Sequence, residues 1–162
     1  MLVFRAESEG FMVVSFVGHR EVADEPRVYR WLEETVNELI LEGADTFYLG
    51  GYGRFDRLAH DVVWKAKAQH PQIHSFLMIP YLNRSYDTSR YDGTIYPPLE
   101  QIPQRLAIVK RNEYMVDRSD VVVAYVLYSF GGAAQTLRYA IRRKKRILRF
   151  EPEKSCSICI SN

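Results

Sequence analysis

The feature that most restricts the fold of this chain is an alternation of short, fully apolar runs with longer stretches of helical periodicity. The first run, residues 11–17 (FMVVSFV), is rich in β-branched and aromatic residues and stops at Gly18. Such a run is typical of a strand that is buried on both faces of a parallel sheet. Apolar residues then recur at helical spacing from Pro26, with Asp24 suited to the helix start and Gly43 to its end, which predicts an amphipathic helix.

The same alternation continues along the chain. Further strands are predicted at residues 46–49, 73–79, 121–126 and near 146–150. Helical spacing follows the glycine-rich segment 50–53 and the pair Gly131 and Gly132. Strands that alternate with helices of about 10 to 15 residues indicate a parallel sheet covered on both faces. We therefore predict an α/β fold, a Rossmann-like three-layer sandwich with a mostly parallel sheet.

Residues 80–104 interrupt this alternation. They hold four of the seven prolines together with Tyr81, Tyr86, Tyr91 and Tyr96. A loop of this length inside a compact domain is usually functional or mobile, and its tyrosines could either stack on a base or pack within an ordered loop. The predicted organisation is one domain over residues 11–150, with an N-terminal extension at 1–10 and a polar C-terminal tail at 151–162.

Composition narrows the class of protein. Hydrophobic residues make up 47% of the chain, yet no apolar run approaches the roughly 18 residues of a membrane span. Charged residues within the first ten positions interrupt the apolar core that a secretion signal needs, so we expect a cytoplasmic protein without a membrane partner. Cys156 and Cys159 have the spacing of half a zinc site. No second half is present in the sequence, and we predict no metal site and no cofactor.

Ligands of open α/β sheets bind beyond the carboxyl ends of the strands. Three loops follow predicted strands here, and their glycines can present backbone N–H groups to an anion at a helix N-terminus. An arginine on such a loop can hold phosphate through two hydrogen bonds. The alternatives are turns without a ligand and, for the aspartate, a helix cap. The candidate ligand residues on these loops are Gly18, His19, Arg20, Gly50, Gly51, Gly53, Arg54, Asp56, Gly131, Gly132 and Thr136.

The glycine loops do not match the common nucleotide fingerprints. Asp56 stands where a dinucleotide-binding loop has its third glycine, and this loop follows the second predicted strand rather than the first. Neither loop contains the G-K-[ST] of a P-loop. A nicotinamide dehydrogenase and a P-loop ATPase are therefore disfavoured. The polar segment 111–120, which includes the further candidates Asn112 and Asp117, leads into the strand at 121–126 and could face the ligand crevice or end a helix.

Four motifs in this order resemble the SLOG superfamily. They are residues 17–20 (VGHR), 50–59 (GGYGRFDRLA), 111–120 (RNEYMVDRSD) and 131–140 (GGAAQTLRYA). The sequence is most similar to the YpsA-like branch, whose function is unknown. The resemblance covers about residues 11–150. It implies a Rossmann-like domain of bacterial or phage origin that binds nucleotides or nucleotide-derived ligands and assembles as a homo-oligomer.

Related branches of the superfamily imply two other functions. LOG-type phosphoribohydrolases cut the N-glycosidic bond of nucleoside monophosphates, and DprA-type proteins bind single-stranded DNA. The catalytic glutamate of the LOG-type loop has no counterpart here, where the helix reads Thr136-Leu137-Arg138-Tyr139. The sequence therefore predicts a sensor or regulator that binds a nucleotide-like small molecule.

Two alternatives stay open. The first is a phosphoribohydrolase-like enzyme in which Asp56 or Asp117 activates water. The second is a protein that binds single-stranded nucleic acid through the basic cluster of Arg138, Arg142, Arg143 and Lys144. The basic run at residues 142–146 also has a simpler interpretation, in which cations at the end of a helix complement its dipole.

Overall fold

The computed structural model describes residues 11–153. The predicted extension at 1–10, as well as Cys156 and Cys159, lies outside the described residues. Within these residues, six strands and four α-helices follow one another, with two consecutive strands and a short 3-10 helix at 104–106 before the third α-helix. Their bounds are β1 Met12–Gly18, α1 Glu25–Leu41, β2 Ala44–Leu49, α2 Gly53–Gln69, β3 His74–Met78, β4 Gly93–Ile95, α3 Ala107–Asp117, β5 Val121–Tyr125, α4 Gly131–Arg142 and β6 Arg146–Arg149.

The strands form one sheet in the order β4-β3-β2-β1-β5-β6. Each neighbouring pair is parallel. Helices α1 and α2 pack on one face of the sheet and α3 and α4 on the other. The predicted Rossmann-like three-layer fold is thereby confirmed. The chain runs from β1 to β4 in one direction and then crosses to β5 on the other side of β1, so the strand order reverses between β1 and β5.

The central strands are buried on both faces, as their uninterrupted apolar runs predict. Val14 and Phe16 of β1 contribute to the core beneath α1 and α2. Val17 of the same strand packs with Ala134 and Leu137 of α4 on the other face. All five residues of β5 are buried. Among the described residues, no helix is both long and apolar enough to cross a membrane.

In the second half of the chain, one strand was not predicted and one helix was left as an alternative. Strand β4 lies inside the long loop 80–104 and pairs with β3. It is held there by Asp92, whose N–H donates to the Ser75 carbonyl at 2.9 Å and whose Oδ2 accepts from the Ser75 N–H at 2.8 Å. Helix α3 begins at Ala107 and ends at Asp117. The polar segment that starts at residue 111 is therefore the second part of a helix.

Candidate functional site

A cavity of about 390 Å³ opens at the carboxyl ends of β1, β2 and β5. The strand order reverses at this point, and the loops after β1 and β5 lead to helices on opposite faces of the sheet. Ligands of open α/β sheets bind in the crevice between such loops. The loops after β1 and β2 form one side of the cavity, and α3 and the first turn of α4 form the other. The predicted residues that line it are Gly18, His19, Arg20, Gly50, Asp56, Asn112, Gly132 and Thr136.

The remaining predicted residues do not line this cavity. Arg54 is exposed on α2 and pairs with Glu25, with 2.5 Å between Nε and Oε1. Asp117 ends α3, where its Oδ1 accepts from Arg143 Nε at 2.7 Å and its Oδ2 from the Tyr139 hydroxyl at 2.9 Å. Three of the predicted glycines are next to lining residues in the sequence but do not line the cavity themselves: Gly51, Gly53 and Gly131.

Arg111, which was not among the predicted site residues, lies beneath the cavity. Its side chain is 2% exposed, and Nη1 donates to the carbonyls of Gly50 at 2.8 Å and Met78 at 2.6 Å. Nε donates to Asn112 Oδ1 at 2.8 Å. Burial lowers the pKa of Arg111, and the carboxyl of Asp56 acts in the opposite direction. The sequence does contain a signal for the burial of Arg111, because Arg111 is four residues before the buried Met115 and lies on the same face of α3.

Asp56 lines the cavity and also holds the backbone at the start of α2. Its Oδ2 accepts from the Tyr52 N–H at 3.0 Å, which ties down the backbone just before α2, and the side chain also lines the cavity. Burial raises the pKa of Asp56 to about 6, against the lowering effects of the Tyr52 N–H and of Arg111. The carboxyl can therefore gain or lose a proton near neutral pH, which is typical of catalytic acids and bases as well as of some structural sites.

His19 connects the loop after β1 with the loop after β5. Its Nε2 accepts from the Leu127 N–H at 2.9 Å, and burial lowers the pKa of the ring. Since an accepting Nε2 carries no proton, the arrangement needs the neutral imidazole with the proton on Nδ1. His19 therefore positions the segment that leads to α4.

A second contact joins α3 to the first turns of α4. Asn112 Nδ2 donates to Thr136 Oγ1 at 3.3 Å, and that hydroxyl donates to the Gly132 carbonyl at 2.9 Å. The Thr136 hydroxyl thus has one hydrogen-bond partner on its own helix and one on α3, and these two partners fix its position. The wall of the cavity on this side is thus held by side chains from both helices of the same face.

The first glycine loop, residues 50–53, packs against the turn after β1. The N–H of Arg54, in the first turn of α2, donates to the Arg20 carbonyl at 2.7 Å. Gly53 has a φ of +88°, and a Cβ at this position would lie 2.7 Å from Arg20 Cα. The same close packing recurs at Gly18, where a Cβ would lie 2.2 Å from the Phe55 ring. Glycine is required at both positions by the approach of α2 to the turn after β1.

The second glycine loop, residues 130–132, is open. No side chain caps the N-terminus of α4. Gly132 is exposed and lines the cavity, and a Cβ there would meet no atom within 4 Å. The first N–H groups of a helix have no partner within the helix and are available to water or to a ligand. This loop therefore presents unoccupied donors at the edge of the cavity.

Other predicted features are placed outside the cavity. The ring of Tyr91 stacks on His60 at 3.8 Å, and the Tyr81 hydroxyl donates to the Gln104 carbonyl at 3.3 Å. None of the four tyrosines of residues 80–104 is among the lining residues. The basic run at the end of α4 and the start of β6 lies at the amino ends of the strands, away from the cavity, where Arg146 pairs with Glu42 at 2.5 Å. Within residues 11–153, no group of His, Cys, Asp or Glu side chains could hold a metal ion.

Several solved structures share this fold. DNA processing protein A from Helicobacter pylori, described for its single-stranded DNA binding mode, superposes with a TM-score of 0.63 at 18% identity, over 90% of this chain and 67% of that one. Its counterpart from Streptococcus pneumoniae gives a TM-score of 0.65 at 17% identity, over 91% and 52%. The Moco carrier protein from Chlamydomonas reinhardtii gives 0.55 at 15% identity, over 85% and 76%.

These likenesses establish a common fold. The chain spans about two thirds of the H. pylori protein and about half of the S. pneumoniae protein. No protein-family model and no curated protein matches the sequence. The structural neighbours confirm the fold that the resemblance of the motifs implies, while membership of the SLOG superfamily stays a prediction. The YpsA-like branch stays a prediction.

Proposed function

We propose that this chain binds a nucleotide or a nucleotide-derived phosphate ligand in the cavity at the carboxyl ends of β1, β2 and β5, as a sensor or regulator. The observation that carries the proposal is the open N-terminus of α4. Gly132 lines the cavity with empty space where a side chain would stand, and no side chain caps the helix. Uncapped N–H groups together with the helix dipole favour a phosphate group at this position.

The charges around the cavity support an anionic ligand. Arg20 is exposed and lines the cavity, so its guanidinium can turn towards a phosphate and donate two hydrogen bonds. Arg111 adds a buried positive charge beneath the cavity. The volume of about 390 Å³ lies within the range of roughly 300 to 1,000 Å³ that is usual for small-molecule sites. The structural neighbour named for single-stranded DNA binding supports a ligand built from nucleotides.

Thermal unfolding against nucleoside mono-, di- and triphosphates, NAD and ADP-ribose tests the proposal. A ligand at 100 times its Kd stabilises the folded state by about 2.7 kcal/mol, which is readily seen as a rise in Tm. A rise with one class of nucleotide is the expected result. No rise with any compound of the panel would contradict the proposal.

Calorimetry on variants then locates the binding site. Arg20→Ala and Gly132→Val should each weaken nucleotide binding at least about tenfold, since one removes a phosphate donor and the other fills the space at the α4 N-terminus. Arg142→Ala is the matched control, because Arg142 is exposed at the far end of α4. Circular dichroism should be unchanged in all three. Wild-type affinity in both site variants would show that the ligand binds elsewhere.

A second candidate function is hydrolysis of the N-glycosidic bond of a nucleoside monophosphate. It is favoured by the position of Asp56, a carboxyl with a pKa of about 6 inside the cavity. In this reaction Asp56 takes a proton from water as the water oxygen bonds to the anomeric carbon of the sugar. The N-glycosidic bond breaks, and the protonated Asp56 returns the proton to the departing base. Release of free base that is lost in Asp56→Asn and kept in Asp117→Asn would support it. Binding without release of base supports the sensor.

Binding of single-stranded nucleic acid through the basic cluster is the weaker alternative. Arg143 already pairs with Asp117 at 2.7 Å, and Arg138 Nη1 donates to the Ser129 carbonyl at 2.8 Å. Phosphate contacts release counterions, so this function requires an affinity that falls steeply with salt. Oligonucleotide binding that is weakened by Arg142→Ala and by salt would favour it over the cavity.

A further inference from the structure

Three aromatic rings form a row that leads from the cavity to the solvent. His19 lines the cavity, and its ring lies 5.0 Å from that of Tyr128. The ring of Tyr128 in turn stacks on that of Phe130, with 5.5 Å between the centroids and 21° between the planes. Tyr128 is 55% exposed and Phe130 is 72% exposed. Two adjacent aromatic side chains that stay exposed to water lack the favourable free energy of burial. Their exposure indicates a candidate contact surface.

The row is continuous with the proposed phosphate position. Phe130 occupies the N-cap position of α4, directly before the two glycines that open the helix. Tyr128 contacts both His19 and Phe130, and Phe130, at the end of this series of contacts, is largely exposed to solvent. A planar group that is joined to a phosphate through a sugar can reach this face while the phosphate remains at the N-terminus of α4.

We propose that the ring of Phe130 is the stacking platform for the base of the bound nucleotide. The inference rests on the proposed function and deepens it, since the protein would recognise the base as well as the phosphate. A protein partner generally needs about 800 Å² of surface on each side, far more than two rings supply. A nucleobase needs only one flat aromatic face, and such stacking tolerates any base.

The structure thereby assigns base stacking to a different segment from the one that the sequence indicates. Two tyrosines of residues 80–104 are engaged with their own neighbours, since Tyr91 stacks on His60 and the Tyr81 hydroxyl donates to the Gln104 carbonyl. None of the four lines the cavity.

Phe130 has no ring contact among the described residues other than that with Tyr128. Tyr52 lines the cavity itself, but the guanidinium of Arg111 lies over its ring, 5.3 Å from the centroid. Phe130 is therefore the more exposed of the two rings.

Calorimetry with two kinds of probe tests the inference. The probes are adenosine and cytidine 5′-monophosphates, which carry a base, and ribose 5-phosphate, which does not. The wild-type chain should bind the monophosphates about tenfold to a hundredfold more tightly than ribose 5-phosphate, the usual effect of one aromatic stack. Phe130→Ala should remove this difference by weakening the monophosphates alone.

Further variants separate stacking from simple apolar contact. Phe130→Trp keeps a flat aromatic face and should bind the monophosphates at least as tightly as the wild type. Phe130→Leu keeps apolar surface without a ring and should lie between the wild type and Phe130→Ala. Trp64→Ala is the control for loss of an exposed aromatic residue, because Trp64 lies on α2, is 43% exposed and does not line the cavity. Its affinities should equal those of the wild type.

The outcomes distinguish failure of the inference from failure of the proposed function. Equal wild-type affinity for the monophosphates and ribose 5-phosphate, or unchanged affinity for the monophosphates in Phe130→Ala, overturns the stacking role and leaves the phosphate site intact. An equal loss for both probes in Phe130→Ala also overturns it, because the substitution then acts through the helix N-terminus. A wild-type chain that binds none of these probes, and whose Tm rises with no compound of the unfolding panel, overturns the proposed function and the stacking role together.

Discussion

The two glycine loops share a sequence signature and differ in what their glycines do. Each follows a buried strand and opens a helix. In the first glycine loop, Gly53 is held against the backbone of Arg20, and the N–H groups of Tyr52 and Arg54 already have protein acceptors. In the second, the space at Gly132 is empty and no side chain caps the helix.

Glycine after a strand therefore has two separate structural roles in this protein. In the first loop it allows a helix and a turn to approach closely, which builds one wall of the cavity. In the second it keeps a helix N-terminus uncovered, which leaves hydrogen-bond donors for a ligand. Substitution should therefore affect stability in the first loop and binding in the second, and the following predictions test that contrast.

The largest effect is expected for Gly53→Ala. The methyl group would lie 2.7 Å from Arg20 Cα on a backbone with a φ of +88°. Steric overlap and conformational strain together should lower the free energy of unfolding by about 4 kcal/mol. Urea denaturation monitored by circular dichroism measures this change. A loss of less than about 1 kcal/mol would show that the approach of α2 to the turn after β1 is not tight.

Arg111→Met should have the next largest effect. Methionine keeps much of the side-chain volume but leaves the carbonyls of Gly50 and Met78 without the donor that they have now. Unsatisfied buried acceptors cost about 1 to 3 kcal/mol each, and the removal of a buried charge offsets part of this, so we expect a loss of about 3 kcal/mol. Arg105→Met, at an exposed position, is the control in the same urea titration. A stability equal to that of the control would mean that Arg111 does not support the first glycine loop.

Asp56→Asn should change how stability depends on pH. Burial raises the pKa of Asp56 from 3.8 to about 6, so the folded state holds this proton more tightly than the unfolded state. The stability of the wild type should therefore fall as the pH rises from about 4 to about 6 and then level off. Asparagine carries no charge and can still accept from the Tyr52 N–H. The variant should be about 2 kcal/mol more stable than the wild type at pH 8, with no such difference at pH 4.

Urea titrations at pH 4, 5, 6 and 8 measure this difference. Asp61→Asn is a suitable control, since Asp61 is on the same helix and pairs with Arg90 outside the cavity. A constant difference between Asp56→Asn and the wild type at all four pH values would contradict the raised pKa.

The smallest effect on stability, and the sharpest contrast with Gly53, is expected for Gly132→Ala. No atom lies within 4 Å of the added methyl group. Alanine is also the better helix former, so the free energy of unfolding should rise by about 0.5 kcal/mol. A loss of more than about 1 kcal/mol in the urea titration would mean that the second glycine loop is as tightly packed as the first.

Much of the fold is predictable because it rests on local patterns. The uninterrupted apolar run of β5 predicts a strand buried on both faces, and all five of its residues are buried. Strand β4 has only three residues, too few to show a period, and it is held by the pairing of Asp92 with Ser75 on β3. Arg111 is missed for another reason. Arginine is rarely buried, and only its three hydrogen-bond acceptors, drawn from different parts of the chain, make its burial favourable.

The sequence by itself determines the alternation of strands and helices, the positions of the two glycine loops and the candidates Arg20, Asp56 and Gly132. These follow from neighbours within a few residues, which is the range over which periodicity and turn chemistry act. Only the tertiary structure decides which loop is open, that Asp56 is in the cavity while Asp117 pairs with Arg143, and that Phe130 presents an exposed ring beside the cavity. These depend on contacts between segments that are distant in the chain, and the packing of α2 against β1 and of α3 against α4 sets those contacts.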